Sequence, residues 1–369
     1  MKKTAIALAL AGLVAVPTIA AADTTVYGSV RISENYGKLE FNEDPFTGQT
    51  RNDVKGWDVQ NNSSRLGFKG SEDLGNGLSA IYHYEFGVNP ADGVTIGGTN
   101  NRLGYAGLKG GWGQVTMGTQ WNPYYFAVGG EVDVFNGFYS ANGYYEAAGF
   151  NELDSTRSGN QILYQSPSFG NFTLHAGILT QVGGNTGVDQ YQVAGIYDNG
   201  SLFLGAAYRG LDGDSTTQGI EKQRAKDEGL CQGGPAQDVR CFLNTKNVNQ
   251  YGLQARYQFG FGLGLAGSWQ RVKQSGFAKW NTYDVVANYD FGNNTARVGW
   301  FKAKNDDGIE EDNDGWIIGL QHRMSKRTRV WAEYGQTSFD QNRTVAGAID
   351  TDSLLDKNKN FSLGMRHDF

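Results

Sequence analysis

The chain has 369 residues, of which 53 are glycine and only 6 are proline, and its formal net charge is −6. After residue 22 no run of 18 apolar residues occurs, which excludes a membrane-crossing helix from this part of the chain. The acidic balance also disfavours nucleic acid as a partner. No proline- or serine-rich linker divides the sequence, so residues 23–369 are expected to form one domain.

Residues 1–22 have the pattern of a secretory signal peptide. Lys2 and Lys3 form the charged start, residues 5–15 form the apolar middle, and Ala20–Ala22 provide a small-residue cleavage site. A membrane-anchoring helix is the alternative, but the apolar run is too short for one. The pattern predicts export and a mature chain that begins at Asp23.

From Asp23 onward the dominant period is two residues, which indicates β-strands. In residues 250–259, for example, Tyr251, Leu253 and Tyr257 share one face, while Gln254 and Arg256 share the other. About sixteen such segments follow one another, a number that suits an aqueous channel. Because only alternate residues would face lipid, the low mean hydropathy of −0.48 is compatible with a membrane barrel. The predicted fold class is all-β, a transmembrane antiparallel β-barrel of about 16 strands.

Short and long connections alternate along the predicted strands. The short ones are rich in Asn, Gly and Asp and suit tight hairpins. The longer polar ones are residues 37–57, 89–100, 122–157, 210–247, 304–313 and 339–358. Short turns at one end and long loops at the other are typical of outer-membrane barrels, as are aromatic rings near the strand ends.

Residues 122–157 form the longest break in the strand pattern that is also rich in large rings. Long loops without a repeating pattern are functional or disordered, and so many rings disfavour disorder. We expect this loop to fold into the lumen and form the narrowest part of a pore. Its candidate acidic residues are Glu131, Asp133, Glu146, Glu152 and Asp154.

Two further features lie in polar segments. Cys231 and Cys241 are predicted to form a disulfide, because an exported chain meets an oxidising compartment. A metal site there is disfavoured because no histidine is near either sulfur. Residues 306–315 have alternating acids that partly fit a calcium loop, but the twelfth position counted from Glu310 is Gln321 instead of Glu. We interpret this run as an acidic external loop.

Several stretches resemble the general diffusion porins of Gram-negative outer membranes. They are Val26-Tyr27-Gly28-Ser29-Val30-Arg31, Ser64-Arg65-Leu66-Gly67-Phe68-Lys69-Gly70, Asn101-Arg102-Leu103-Gly104-Tyr105-Ala106-Gly107-Leu108 and the terminal Phe369. The resemblance implies a sixteen-stranded barrel that assembles as a homotrimer, with an inward third loop whose acids face a wall of arginines. Counting loops places 122–157 third.

The same resemblance assigns roles to residues. Arg65, Arg102 and Arg157 match arginines that line the constriction in members of that family. Strand alternation places Arg31 on the inward face of the first strand. Phe369 resembles the assembly signal that the barrel-assembly machinery reads. The other implied partners are outer-membrane lipid, lipopolysaccharide, and small polar solutes and ions.

No catalytic motif is present, so we expect neither an enzyme nor a cofactor. Our leading hypothesis is passive diffusion of small hydrophilic solutes through a charged, wet passage. One alternative is a substrate-selective channel that uses the aromatic loop to bind a sugar or an aromatic acid. An outer-membrane enzyme or adhesin is another, but no Ser/His pair can be placed for it. The net charge favours weak cation selectivity, although the arginines could reverse this preference locally.

Overall fold

The computed structural model describes residues 23–43, 52–93, 96–137, 156–180, 188–212, 247–274, 278–306, 311–341, 344–345, 348–349 and 355–369. The predicted signal peptide and both cysteines, Cys231 and Cys241, lie outside the described residues. Within these ranges, no helix is long and apolar enough to cross a membrane.

The described residues are almost entirely β-strand, with one short π-helix, Tyr125–Gly129. The strands are β1 Asp23–Phe41, β2 Val54–Asn61, β3 Arg65–Gly75, β4 Leu78–Val88, β5 Ile96–Gly110, β6 Gly113–Trp121, β7 Arg157–Gln165, β8 Phe172–Thr180, β9 Val188–Asp198, β10 Leu202–Leu211, β11 Val248–Gln258, β12 Leu263–Gln274, β13 Ala278–Phe291, β14 Asn294–Asn305, β15 Glu311–Arg323, β16 Thr328–Gln341, β17 Thr344–Val345, β18 Ala348–Ile349 and β19 Leu355–Asp368.

The sheet closes on itself as an antiparallel barrel. Consecutive long strands pair with one another, and β19 pairs with both β16 and β1. At the seam, the backbones of Phe369 and Gly28 exchange two hydrogen bonds of 3.0 Å. Because β2 and β3 pair with different parts of β1, they act as one interrupted strand, and β17 and β18 form a separate hairpin. The barrel therefore has sixteen strands, which confirms the predicted number.

The interruption between β2 and β3 is a bulge opposite Arg31. The Arg31 carbonyl accepts hydrogen bonds from the Asn62 backbone N–H (3.0 Å) and the Ser64 hydroxyl (3.0 Å). The Arg31 N–H donates to Ser64 Oγ (2.8 Å), and Ser63 has a positive φ of 65°. Bulges redirect side chains and often lie beside functional sites. This bulge lies on the wall that carries the predicted arginines.

Alternate side chains along the strands lie in two different environments. On β11, Leu253 is 54% exposed while Gln250 is fully buried and Gln254 nearly so. Apolar side chains exposed on the outside and polar ones on the inside are the arrangement of a barrel with lipid around it and water within. The polar set therefore marks the lumen, and the candidate site is built on that face.

Candidate pore constriction

A cavity of about 730 Å³ lies on the polar face of the barrel, between the wall and the first part of the 122–157 loop. Seven arginines line it: Arg31, Arg65, Arg102, Arg157, Arg297, Arg329 and Arg366. From the loop side, Tyr125 and residues 133–137 line the same cavity. All four arginines singled out in the sequence are thus brought together, and three others join them.

The register of the strands places like charges side by side. Arg366 on β19 lies directly opposite Arg31 on one side and Arg329 on the other. Like charges opposite one another in a sheet are destabilising. Asp368 relieves part of this repulsion, since Arg366 Nε donates to its carboxylate at 2.7 Å and Arg329 Nη2 lies 3.4 Å from it. The register therefore concentrates positive charge in a row of three arginines on the lumen wall.

Glu85 on β4 is an acidic partner that the sequence did not single out. It is 4% exposed, accepts a hydrogen bond of 2.5 Å from Arg102 Nε, and lies 3.7 Å from Arg65 Nη1. The Tyr27 hydroxyl donates to its other oxygen at 2.8 Å. A buried carboxylate needs such partners to offset lost hydration. Glu85 therefore fixes Arg65 and Arg102 in place. Its role as their partner becomes visible only once the pairing of β4 with β3 and β5 is known.

The loop acids separate into three groups. Asp133 lines the cavity and accepts a hydrogen bond of 2.9 Å from the Tyr125 hydroxyl. Glu131 does not line this cavity; it pairs with Arg256 at 2.7 Å, and Arg256 also donates to the turn carbonyl of Gly200. Burial raises the pKa of the Glu131 carboxyl, and Arg256 opposes that shift. The other candidates, Glu146, Glu152 and Asp154, lie outside the described residues.

Trp121, at the end of β6, is covered on two sides by other side chains. Its ring stacks on Tyr125, with centroids 5.2 Å apart and an interplanar angle of 16°. The Arg157 guanidinium lies 4.9 Å from the Trp121 ring centroid, within the range of a cation–π contact. These contacts hold Arg157 and Tyr125 at the edge of the cavity.

The described part of the loop, residues 122–137, packs along the polar face of the wall. Tyr124, Ala127 and Val128 form a buried apolar cluster with Ala194 and Ala207 of β9 and β10. Farther along, Phe135 packs on Phe301 and Ile317. At its end, both oxygens of Glu333 accept hydrogen bonds from the loop, including those from the Asn136 N–H (2.9 Å) and the Gly137 N–H (2.6 Å). The segment thus contacts inward-facing side chains of the wall from β9 to β16.

Gly205 on β10 permits this close approach. A Cβ placed there would lie 2.0 Å from the Ala127 carbonyl oxygen. We expect Gly205→Ala to displace the π-helix from the wall and destabilise the barrel by about 1–3 kcal/mol, the usual effect of overpacking. The measurement is the midpoint of thermal unfolding of the purified protein. Gly56→Ala is the control, since no atom lies within 4 Å of a Cβ there; equal midpoints for the two variants would contradict the prediction.

Comparison with known proteins agrees with this architecture. The family model described as Gram-negative porin matches residues 7–342. The chain is 28% identical to the major outer membrane protein P.IB of Neisseria gonorrhoeae, over 91% of this chain and 93% of that protein. It superposes on an anion-selective porin from Comamonas acidovorans with a TM-score of 0.68 and 21% identity, covering 94% of this chain and 100% of that one. It also superposes on OmpT of Vibrio cholerae in its trimer form, with a TM-score of 0.61, 16% identity and coverage of 94% and 99%.

A closed sixteen-stranded barrel, an apolar outer face, a charged lumen and a family match over most of the chain point to one conclusion. They also confirm the resemblance drawn from the sequence, the outer-membrane location and the absence of an enzymatic role. This chain belongs to the Gram-negative porin family of outer-membrane channel proteins.

Proposed function

We propose that the chain forms a passive, water-filled channel for small hydrophilic solutes whose constriction favours anions. The observation that carries this proposal is the convergence of seven arginines on one cavity. Among the described lining residues, Asp133 is the one carboxylate. Clusters of fixed positive charge in a narrow passage lower the energy of anions and raise that of cations.

Among the residues that the structure describes, the carboxylates near the cavity do not cancel this charge. Glu85 and Asp368 are each shared between two arginines, and Glu333 accepts hydrogen bonds from the loop backbone. Even when these three acids are counted with Asp133, the arginines remain in excess. The whole-chain charge favours weak cation selectivity, but distant charges are screened within about 8–10 Å by physiological salt. Charges at the constriction therefore decide the preference.

Other parts of this proposal concern processing and assembly. We infer that residues 1–22 are removed on export, that residues 23–369 form the barrel domain, and that residues 122–157 act as its constriction loop. We also infer a homotrimer, in line with the trimer form of the Vibrio cholerae protein of similar fold. Phe369, whose backbone pairs with Gly28 at the seam, is the proposed assembly signal.

A substrate-selective channel is less well supported by the described rings. Recognition of a sugar or an aromatic acid by stacking needs a free ring face. Trp121 has Tyr125 against it and Arg157 near its ring, and Tyr124 is fully buried against the wall. Phe126 is 41% exposed, and its ring packs against Trp121 and Tyr125. Trp121 and Tyr124 therefore support the loop and position charge.

Planar-bilayer recording of the purified protein tests the proposal. Under a tenfold KCl gradient, the reversal potential should have the sign of chloride preference, and three equal conductance steps should mark the trimer. A reversal potential on the potassium side would overturn the anion preference. Saturable block by one neutral sugar would instead support the substrate-selective alternative.

A further inference from the structure

His83 lies on the lumen face of β4, beside the arginines of the constriction. It precedes Glu85 by two residues on the same face of the strand, so it lies about 7 Å from that acid, toward the short turns. Glu85 in turn holds Arg65 and Arg102. All 4 histidines of the chain are among the described residues. The other three are on different strands: His175 on β8, His322 on β15 and His367 on β19.

A chain of hydrogen bonds links the His83 imidazole to Glu85. The Tyr27 hydroxyl donates to the Glu85 carboxylate at 2.8 Å and lies 2.5 Å from His83 Nε2. A hydroxyl has one hydrogen to donate, so in the neutral ring His83 Nε2 carries the proton and donates to the Tyr27 oxygen. On the other side, His83 Nδ1 lies 3.2 Å from the Tyr105 hydroxyl, which donates to it. The neighbours therefore fix the tautomer of the neutral ring.

The same contacts suit a charged imidazolium. Both ring nitrogens face hydroxyl oxygens, and a hydroxyl oxygen accepts as well as donates. When Nδ1 takes up a proton, the Tyr105 hydroxyl only has to turn its hydrogen away, and the new hydrogen bond gains strength from the charge. The edges of the Tyr27 and Tyr105 rings, 5.7 and 5.5 Å from the imidazole between centroids, hold it in place. His83 can thus change its charge without losing a neighbour.

The other groups that face this imidazole keep their charge as the medium becomes acidic. Lys69 of β3 is paired directly with His83, and its ammonium lies 5.5 Å from the centroid of the Tyr27 ring. It repels an added positive charge, whereas Glu85 attracts one. Glu85 is shared between two arginines, and tyrosine hydroxyls titrate only near pH 10. Histidine is the side chain whose ordinary pKa lies between pH 5 and 8.

We propose that His83 is a specificity-determining residue of the channel, which adds a positive charge to the lumen wall in an acidic medium. The inference rests on the anion preference proposed above, because the new charge adds to that of the arginines. A unit charge about 7 Å from a passing ion, screened by physiological salt, changes the chloride-to-potassium permeability ratio by about twofold. The ratio should rise by this factor between pH 8 and pH 5.

Reversal potentials of the purified channel in planar bilayers, recorded under a KCl gradient at pH 8 and pH 5, test the proposal. His83→Gln retains an amide that can donate to Tyr27 but carries no charge at either pH. This variant should keep the ratio of the unchanged protein at pH 8 and lose the rise at pH 5. An equal rise in His83→Gln and the unchanged protein would overturn the proposal, as would a constant ratio in the unchanged protein.

Two further variants identify the group that titrates. The triple variant H175Q/H322Q/H367Q leaves His83 as the only histidine and should show the full rise; loss of the rise there would overturn the proposal even if His83→Gln failed to fold. Glu131→Gln removes a carboxyl whose pKa burial raises. It should also keep the rise, and loss of the rise would assign the effect to Glu131 instead.

The sign of the reversal potential at pH 8 tests the anion preference separately. A channel that prefers potassium at pH 8, yet gains chloride permeability at pH 5 only when His83 is present, would refute the proposed preference and retain the role of His83. A channel that prefers chloride equally at both pH values would do the reverse.

Discussion

Replacing Arg31 with glutamate is expected to lower the chloride-to-potassium permeability ratio of the channel by about thirtyfold. The substitution changes the local charge by two units. At about 7 Å in water a unit charge changes the energy of a passing ion by about 0.6 kcal/mol. The change therefore raises the energy of chloride by about 1 kcal/mol and lowers that of potassium by a similar amount. Reversal potentials in a KCl gradient measure the ratio.

Arg31 is the most informative of the seven arginines for this experiment. Among the described residues it has no carboxylate within ion-pair distance, and its Nε donates to the Ser29 hydroxyl at 3.0 Å. Arg65 and Arg102, in contrast, hold Glu85, so their replacement would leave a buried acid without its partners. Arg31→Glu also relieves repulsion from the facing Arg366, so we expect the barrel to fold.

Lys326→Glu is the matched control because it makes the same charge change on the exposed short turn between β15 and β16. If the constriction sets the preference, this variant should keep the reversal potential of the unchanged protein. A shift as large as that of Arg31→Glu would show that net charge governs selectivity. Repeating both measurements at 1 M salt, where the Debye length falls to about 3 Å, should reduce the effect at Arg31.

The strand pattern made the barrel predictable, because each side chain had only two environments available to it. That constraint placed Arg31, Arg65 and Arg102 in the lumen before any register was known. It also placed Arg329 and Arg366 on polar faces. What the pattern could not supply was the pairing of β19 with β1 and β16, which brings Arg366 between Arg31 and Arg329. Register between strands distant in sequence depends on the closed sheet as a whole.

The path of the loop was less predictable for a physical reason. A segment without periodicity takes its course from the surface that it meets. Tyr124 and Val128 fit against the small residues of β9–β11, and this docking carries Glu131 toward Arg256 and away from the arginine cluster. From the sequence alone, Glu131 and Asp133 were equally good candidates for acidic residues of the constriction. The structure places only Asp133 in the lining of the cavity.

Glu333→Ala is expected to release residues 136–137 of the loop from β16, and so to raise single-channel conductance and current noise. Glu333 is 3% exposed and accepts hydrogen bonds from the Asn136 N–H, the Asn136 side chain and the Gly137 N–H. Hydrogen bonds to a charged group contribute about 1.5–3 kcal/mol each. Losing all of them would leave two nearby attachments: the hydrogen bond from the Asn136 side chain to Gln321 (3.1 Å), and Phe135, packed on Phe301 and Ile317.

Comparing Glu333→Gln with Glu333→Ala separates the anchoring of the loop from the effect of charge. Both substitutions remove the same carboxylate. The glutamine retains one carbonyl oxygen, which can still accept from Asn136, whereas its amide group faces the Gly137 N–H and cannot accept from it. Both variants should therefore gain the same anion preference, while only Glu333→Ala should show the full increase in conductance and noise. Identical conductance in the two variants would mean that Glu333 acts through its charge alone. The loop would then be held to the lumen wall by the apolar contacts of Tyr124, Val128 and Phe135.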